Sequence, residues 1–173
     1  MPEYLTPADL QFFITRNTIA ARIHLNVGKT PTVPAAAHAM GVDPEQIIKT
    51  LVFQVARGGE AVQQIVVISN GEQRVDRGKL AAHLGVAKSR ITFASTDVVL
   101  SQIGYPVGGV PPFGHRTQLS IIVDESILSL EQRYGGVIFA GGGDHQSMME
   151  LNVRELLRVT QPEIVAVGEG IIR

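Results

Sequence analysis

The sequence has no cysteine among its 173 residues. That excludes disulfides, cysteine nucleophiles and thiolate metal sites. It also lacks long apolar runs. Ile65 to Ile68, Ile121 to Val123 and Ile164 to Val167 are all short, far below the ~20 residues that a membrane span needs. Met1-Pro2-Glu3-Tyr4 shows no basic stretch followed by an apolar one, so no secretory signal is expected, and a cytoplasmic location is the default expectation. An excess of positive charge is missing too. The formal net charge is −1, whereas a protein that wraps nucleic acid non-specifically carries a clear cationic surplus. Any nucleic-acid contact must therefore be local.

Several chemical signatures are absent as well. No His-x-His or His-Glu-x-x-His spacing occurs, so a zinc site is not expected. No serine sits in Gly-x-Ser-x-Gly, and no Gly-Lys-Ser/Thr follows a glycine loop. Nothing in the chain calls for a metal or a cofactor. There is no internal repeat, low-complexity tract or dividing linker. The expectation is one domain over 1–173, with its core at about 6–159.

What is present is a well-punctuated alternation of elements. Thr6-Pro7-Ala8-Asp9 reads as a helix start, with a threonine cap, proline in the first turn and an acidic residue near the positive end of the dipole. Leu10, Phe13 and Ile14 give that helix an apolar stripe. Ala21 to Leu25 reads as a strand. A second helix spans Thr32 to Met40 and is closed by Gly41. Asp43-Pro44-Glu45-Gln46 opens a very short helix. Leu51 to Val55 and Gln64 to Ser69 form a hairpin around Arg57-Gly58-Gly59-Glu60. Asp76 to Leu84 is a helix, Arg90 to Phe93 a short strand, and Asp97 to Gln102 a helical turn. Leu119 to Val123, Val137 to Ala140 and Met148 to Leu151 are strands. Asn152 caps a helix that runs to about Val159, and the tail from Gln161 is weakly patterned. Hairpin-like pairs dominate the middle. The fold class is therefore α+β, with a mixed, mostly antiparallel central sheet flanked by helices.

Three segments could carry chemistry. Lys49 stands between Ile47-Ile48 and Thr50-Leu51-Val52-Phe53. It either snorkels from an edge strand or points into a polar pocket. In a pocket it could grip phosphate or carbonyl oxygen, or act as a base if burial lowers its pKa. The loop Gly104 to Gly114 is either a tight surface connection or a stretch of bare backbone. In the second case the N–H groups of Gly108, Gly109 and Val110 could hold an oxyanion, where losing one donor typically costs ~10²–10³ in rate. Gly141-Gly142-Gly143-Asp144-His145 offers His145 as a base or donor, or merely as a solvated loop residue. Arg74, Arg77, Lys79, Lys88 and Arg90 form a local basic segment offset by Glu72 and Asp76. It reads as a solvated face or as a docking site.

The segments Asp43 to Phe53, Asn70 to Gly85, Gly104 to Gly114 and Ile121 to Leu157, in that order, resemble the YbaK/ProX-type aminoacyl-tRNA deacylase family. The same domain is found as the editing insertion of bacterial prolyl-tRNA synthetases. The resemblance runs from about Thr6 to Val159. It implies a trans-editing hydrolase that cleaves the ester of a mischarged tRNA, typically a proline tRNA carrying a small wrong amino acid. Lys49 falls on the family's functional lysine, and Gly108 to Pro112 on its Gly-x-x-x-Pro loop. The resemblance thus implies catalytic roles for Lys49, Gly108 and Gly109. It implies substrate contacts from Thr50, Val107, Val110, Pro112 and His145, and tRNA contacts from Arg74, Arg77 and Lys79. It leaves room for a transient association with an aminoacyl-tRNA synthetase and none for a membrane. Charge reversal at Arg77 and Lys79 is expected to weaken tRNA use without affecting stability. Two departures stand out: Pro111 replaces the serine of many relatives, and Gly141 to Gln146 differs from them. These departures keep open a non-catalytic module of the same fold that senses aminoacyl-tRNA or an amino acid. A small-molecule ester or amide hydrolase is the third alternative.

Overall fold

The computed structural model describes residues 3–170. Its helices begin where the caps predict. In α1 (Pro7–Arg16) the Asp9 carboxylate accepts from the Thr6 N–H at 2.7 Å and from the Thr6 hydroxyl at 2.8 Å. These bonds satisfy a donor that the first helical turn leaves orphaned. α2 (Val33–Met40) starts on Thr32, whose hydroxyl accepts from the Ala35 N–H, and stops at Gly41 with φ +66°. A 3-10 turn follows at Pro44–Gln46. α3 (Arg77–Leu84) hangs from the Asp76 carboxylate. α4 spans Thr96–Gln102, α5 Leu130–Tyr134 and α6 Val153–Thr160.

The strands make two sheets rather than one. β1 (Ala21–His24), β6 (Val137–Gly141) and β7 (Met148–Asn152) form an antiparallel sheet in the order β1-β7-β6. The larger sheet runs β4-β2-β3-β5-β8, with β2 at Ile48–Val55, β3 at Gln63–Asn70, β4 at Ile91–Phe93, β5 at Ser120–Asp124 and β8 at Glu163–Val165. The β2–β3 hairpin pairs Lys49 with Ser69 and Val52 with Val66. β3, β5 and β8 run parallel, so long crossovers join them. A bridge between Ile47 and Phe139 links the two sheets beside the start of β2.

Strand alternation explains the three cores. On one face of the large sheet, Val52, Val66, Ile68 and Val123 meet Ile138, Ala140, Met149 and Leu151 of the small sheet, closed by Leu10 and Ile14 of α1. On the opposite face, Phe53, Val55, Ile65 and Val67 pack under Leu80 and Ala81 of α3. Ile47, Phe139 and Met148 carry Ala36 and Ala37 of α2. Leu10 is fully buried, and truncating such a side chain to alanine costs ~2–5 kcal/mol. No helix among the described residues is long and apolar enough to cross a membrane.

Two elements depart from the sequence reading. The tail from Gln161 contains β8, which pairs along β5, and behind it Val167 is fully buried. A 3-10 turn at Glu125–Ser129 leads into α5, starting on the Asp124 carboxylate. Both pieces are too short to show a period.

Candidate active site

β4 ends early against β2. The Ala94 N–H donates to the Val52 carbonyl at 2.9 Å, and the Ala56 N–H to the Arg90 carbonyl. The main-chain groups of Val52 and Ala56 therefore face β4. Alternation turns those of Thr50 the same way, to a stretch of edge where β4 is no longer present: its register with β2 covers only Phe53 to Val55. Against this free edge lies a cavity of about 350 Å³. Its walls include Thr30, Thr32 and Ala36 on one side and Val107, Gly108 and Val110 of the Gly104–Gly114 loop.

Lys49 lines this cavity and is the one ionisable side chain among the described residues that do. It is half-buried, and burial holds its pKa below the ordinary lysine value. The Arg74 guanidinium adds to that depression. No carboxylate among the described residues lies within ion-pair distance of it. Beside it, the hydroxyls of Thr50 and Ser69 are buried without a hydrogen-bond partner among the described residues. Unpartnered buried polar groups cost stability and concentrate at functional sites.

The loop gets its shape from a turn. The Gly109 N–H donates to the Pro106 carbonyl at 2.9 Å, and Gly108, the third residue of that turn, has φ +93°, as a type II turn demands. This corrects one expectation: the Gly109 amide is committed inside the turn, and Gly109 does not line the cavity. Its missing side chain serves packing. A Cβ there would stand 2.8 Å from the Asp144 carbonyl carbon and oxygen. The N–H groups of Gly108 and Val110 have no partner among the described residues.

The Gly141–Gly143 segment is the floor of that loop. The Gly143 N–H donates to the Gly109 carbonyl at 2.9 Å, and the Gly142 N–H to the Ser147 carbonyl. Cβ atoms at Gly141 and Gly142 would meet backbone at 2.4 Å and 2.5 Å. These glycines let two backbones touch. His145 is exposed and leans on Gly108, where a Cβ would lie 3.3 Å from its Nδ1. It does not line the cavity. Its carbonyl accepts from the N–H and the hydroxyl of Thr30. Asp144 turns back to the Gln146 N–H, so it does not orient His145.

Of the other expected substrate contacts, Thr50, Val107 and Val110 line the cavity, while Pro112 is buried and does not line it. A residue that sequence reading passed over anchors the loop. His115 donates from Nε2 to the Pro111 carbonyl at 2.7 Å, and burial lowers its pKa. No pattern in the sequence marks it.

The expected tRNA contacts separate. Arg74 is exposed and acts electrostatically on Lys49. Arg77 donates to the Ile91 carbonyl of β4 at 3.3 Å. Lys79 donates to the Gly168 carbonyl at 2.8 Å, which ties α3 to the C-terminal segment. Reversing charge at Arg77 or Lys79 would break these bonds as well, so the expectation of unchanged stability does not hold.

Residues 28–159 match the family described as the aminoacyl-tRNA editing domain. The chain is 30% identical over 142 residues to the multifunctional Ser/Thr-tRNA deacylase ProXp-y of Escherichia coli K12, covering 82% of this chain and 79% of that protein. It is 32% identical over 109 residues to the proline–tRNA ligase of Kosmotoga olearia, of which it spans 18%. A crystal structure of a candidate trans-editing enzyme for prolyl tRNA synthetase superposes with a TM-score of 0.78 at 30% identity, covering 95% of this chain and 97% of that one.

Proposed function

This chain belongs to the aminoacyl-tRNA editing domain family, and on that premise we propose that it is a trans-editing hydrolase. It cleaves the ester between a small wrong amino acid and the terminal ribose of a tRNA, with a mischarged proline tRNA as the substrate. The observation that carries this reading is one cavity lined by Lys49, by Thr50 at the free edge of β2, and by Gly108 and Val110, whose amides have no partner among the described residues.

The chemistry follows from these groups. The amides of Gly108 and Val110, with the Thr50 N–H in place of the committed Gly109 amide, are suited to holding the ester carbonyl oxygen as it gains negative charge. Lys49 supplies a point charge for the terminal phosphate or the reacting oxygens. Among the described residues that line the cavity there is no carboxylate, thiol or histidine, which agrees with a nucleophile drawn from water or the substrate, with the neighbouring ribose hydroxyl assisting. When water attacks, its oxygen bonds to the carbonyl carbon and the ester C–O bond breaks. The ribose oxygen takes up a proton, leaving free amino acid and tRNA. The cavity, about 350 Å³ and mostly apolar beyond Lys49 and three threonines, suits a small side chain.

On this reading residues 1–173 act as one editing domain with its core at 6–159. It works in the cytoplasm, where charged tRNA is used, and in transient contact with a synthetase. A panel of proline tRNAs charged with alanine, serine, threonine or cysteine tests it. Release of one or more of these amino acids, and not of proline, is the expected result. Saturable binding of the charged tRNA with no ester cleavage would replace it with the non-catalytic module, for which Pro111 is the motivating feature.

A further inference from the structure

Phe93 is the one aromatic residue among those described that line the cavity. It lies at the end of the short strand β4 and leaves 60% of its surface exposed, an unfavourable place for so large an apolar ring. One ring face is used. Phe93 is paired in register with Phe53, which is fully buried, and the two rings stack with centroids 4.6 Å apart and planes 26° apart. The opposite face is left free where Phe93 lines the cavity. Val107, 53% exposed, lines the same cavity.

The surroundings of that free face are cationic. Strand alternation puts Lys49 and Leu51 on the same sheet face as Phe53 and its partner Phe93. Arg77 reaches the same place from α3, with its guanidinium on the Ile91 carbonyl two residues before Phe93. Arg74 lies close enough to Lys49 to perturb it. The nearby Asp76 carboxylate is engaged by the Gly78 and Lys79 amides of the first turn of α3. An exposed aromatic face beside fixed guanidinium and ammonium groups is the arrangement that holds single-stranded nucleic acid, by stacking under a base and pairing with the adjoining phosphates.

We infer that Phe93 is the stacking platform for the unpaired terminal base of the tRNA, which sets the aminoacyl ester at the cavity mouth. The inference deepens the deacylase reading and rests on it for the identity of the substrate. The geometry agrees with that order of groups: the ester enters beside Lys49, and the nucleoside that carries it remains at the rim, where Phe93 stands. Stacking tolerates any base because every base has a π face, so Phe93 supplies position rather than sequence preference.

The test uses a CCA trinucleotide whose terminal adenine is replaced by 2-aminopurine, a base whose fluorescence changes on stacking. The wild-type protein should alter its emission saturably. Phe93→Leu, which keeps the apolar packing and removes the ring, should lose that response, and Phe93→Tyr should keep it. Thermal unfolding of each variant reports folding independently. With mischarged tRNA, Phe93→Leu should raise KM by ~10-fold or more, with a smaller change in kcat. An unaltered signal in Phe93→Leu, or no signal from the wild-type protein, would overturn the inference. Failure to release any amino acid while the 2-aminopurine response persists would sink the deacylase reading and leave the stacking site standing.

Discussion

Gly141 lies so close to Val110 that a Cβ on it would stand 2.4 Å from the Val110 carbonyl oxygen. The obstructing atom is backbone, so the loop itself must move to make room. Gly141→Ala should therefore displace the Gly108 and Val110 amides, and a shift near 1 Å can cost ~10²-fold in rate. Overpacking should also cost about 1–3 kcal/mol of stability. Gly58→Ala is the matched control, because nothing lies within 4 Å of its added Cβ. Steady-state kinetics and denaturant unfolding of the pair check both effects.

His115 holds the same loop from its other end. His115→Phe keeps a planar ring but loses the bond to the Pro111 carbonyl, which should cost ~1 kcal/mol and lower kcat/KM. The pH dependence has a definite sign. Burial lowers the His115 pKa below its ordinary value of 6.5, so below that value the unfolded chain binds more protons than the folded one. Stability then falls with pH from about 6.5 downward until the folded imidazole also titrates. His115→Phe should flatten this part of the profile, read as midpoint denaturant concentration against pH.

Arg74 should control the basic limb of the activity profile. Its charge helps hold the Lys49 pKa low, so activity that needs the ammonium is lost as pH rises through that lowered value. Arg74→Gln should move the basic limb of single-turnover hydrolysis to higher pH. Loss of a phosphate contact should also raise KM and flatten the salt dependence. A pH–rate profile identical to wild type would contradict the electrostatic link.

The helix starts were legible because caps are local chemistry: Thr6, Thr32, Asp76 and Asn152 each precede a helix of the structure. The β2–β3 hairpin was legible for the same reason, through the glycine pair between two apolar runs. β8 was not, because three residues gain their identity only by pairing with β5. The division into two sheets was also hidden, since it depends on which strands meet across long crossovers. At the site, Lys49 could be singled out because its apolar neighbours isolate it. The role of Gly109 could not. A glycine required for contact with the Asp144 backbone and one required for a ligand look alike until the partner is known. Phe93 and His115 were silent in the sequence because exposure and a hydrogen bond to a carbonyl leave no pattern.

The Lys49 ammonium is half-buried without an ion-pair partner among the described residues. Because folding lowers its pKa, the unfolded chain holds more protons between the folded and ordinary values, so at neutral pH the charge lowers stability. The most direct measurement is single-turnover hydrolysis of a mischarged proline tRNA by Lys49→Met, with thermal unfolding of the same sample. The account predicts loss of nearly all ester cleavage together with an unchanged or higher Tm. Hydrolysis at the wild-type rate by a folded Lys49→Met protein would contradict it.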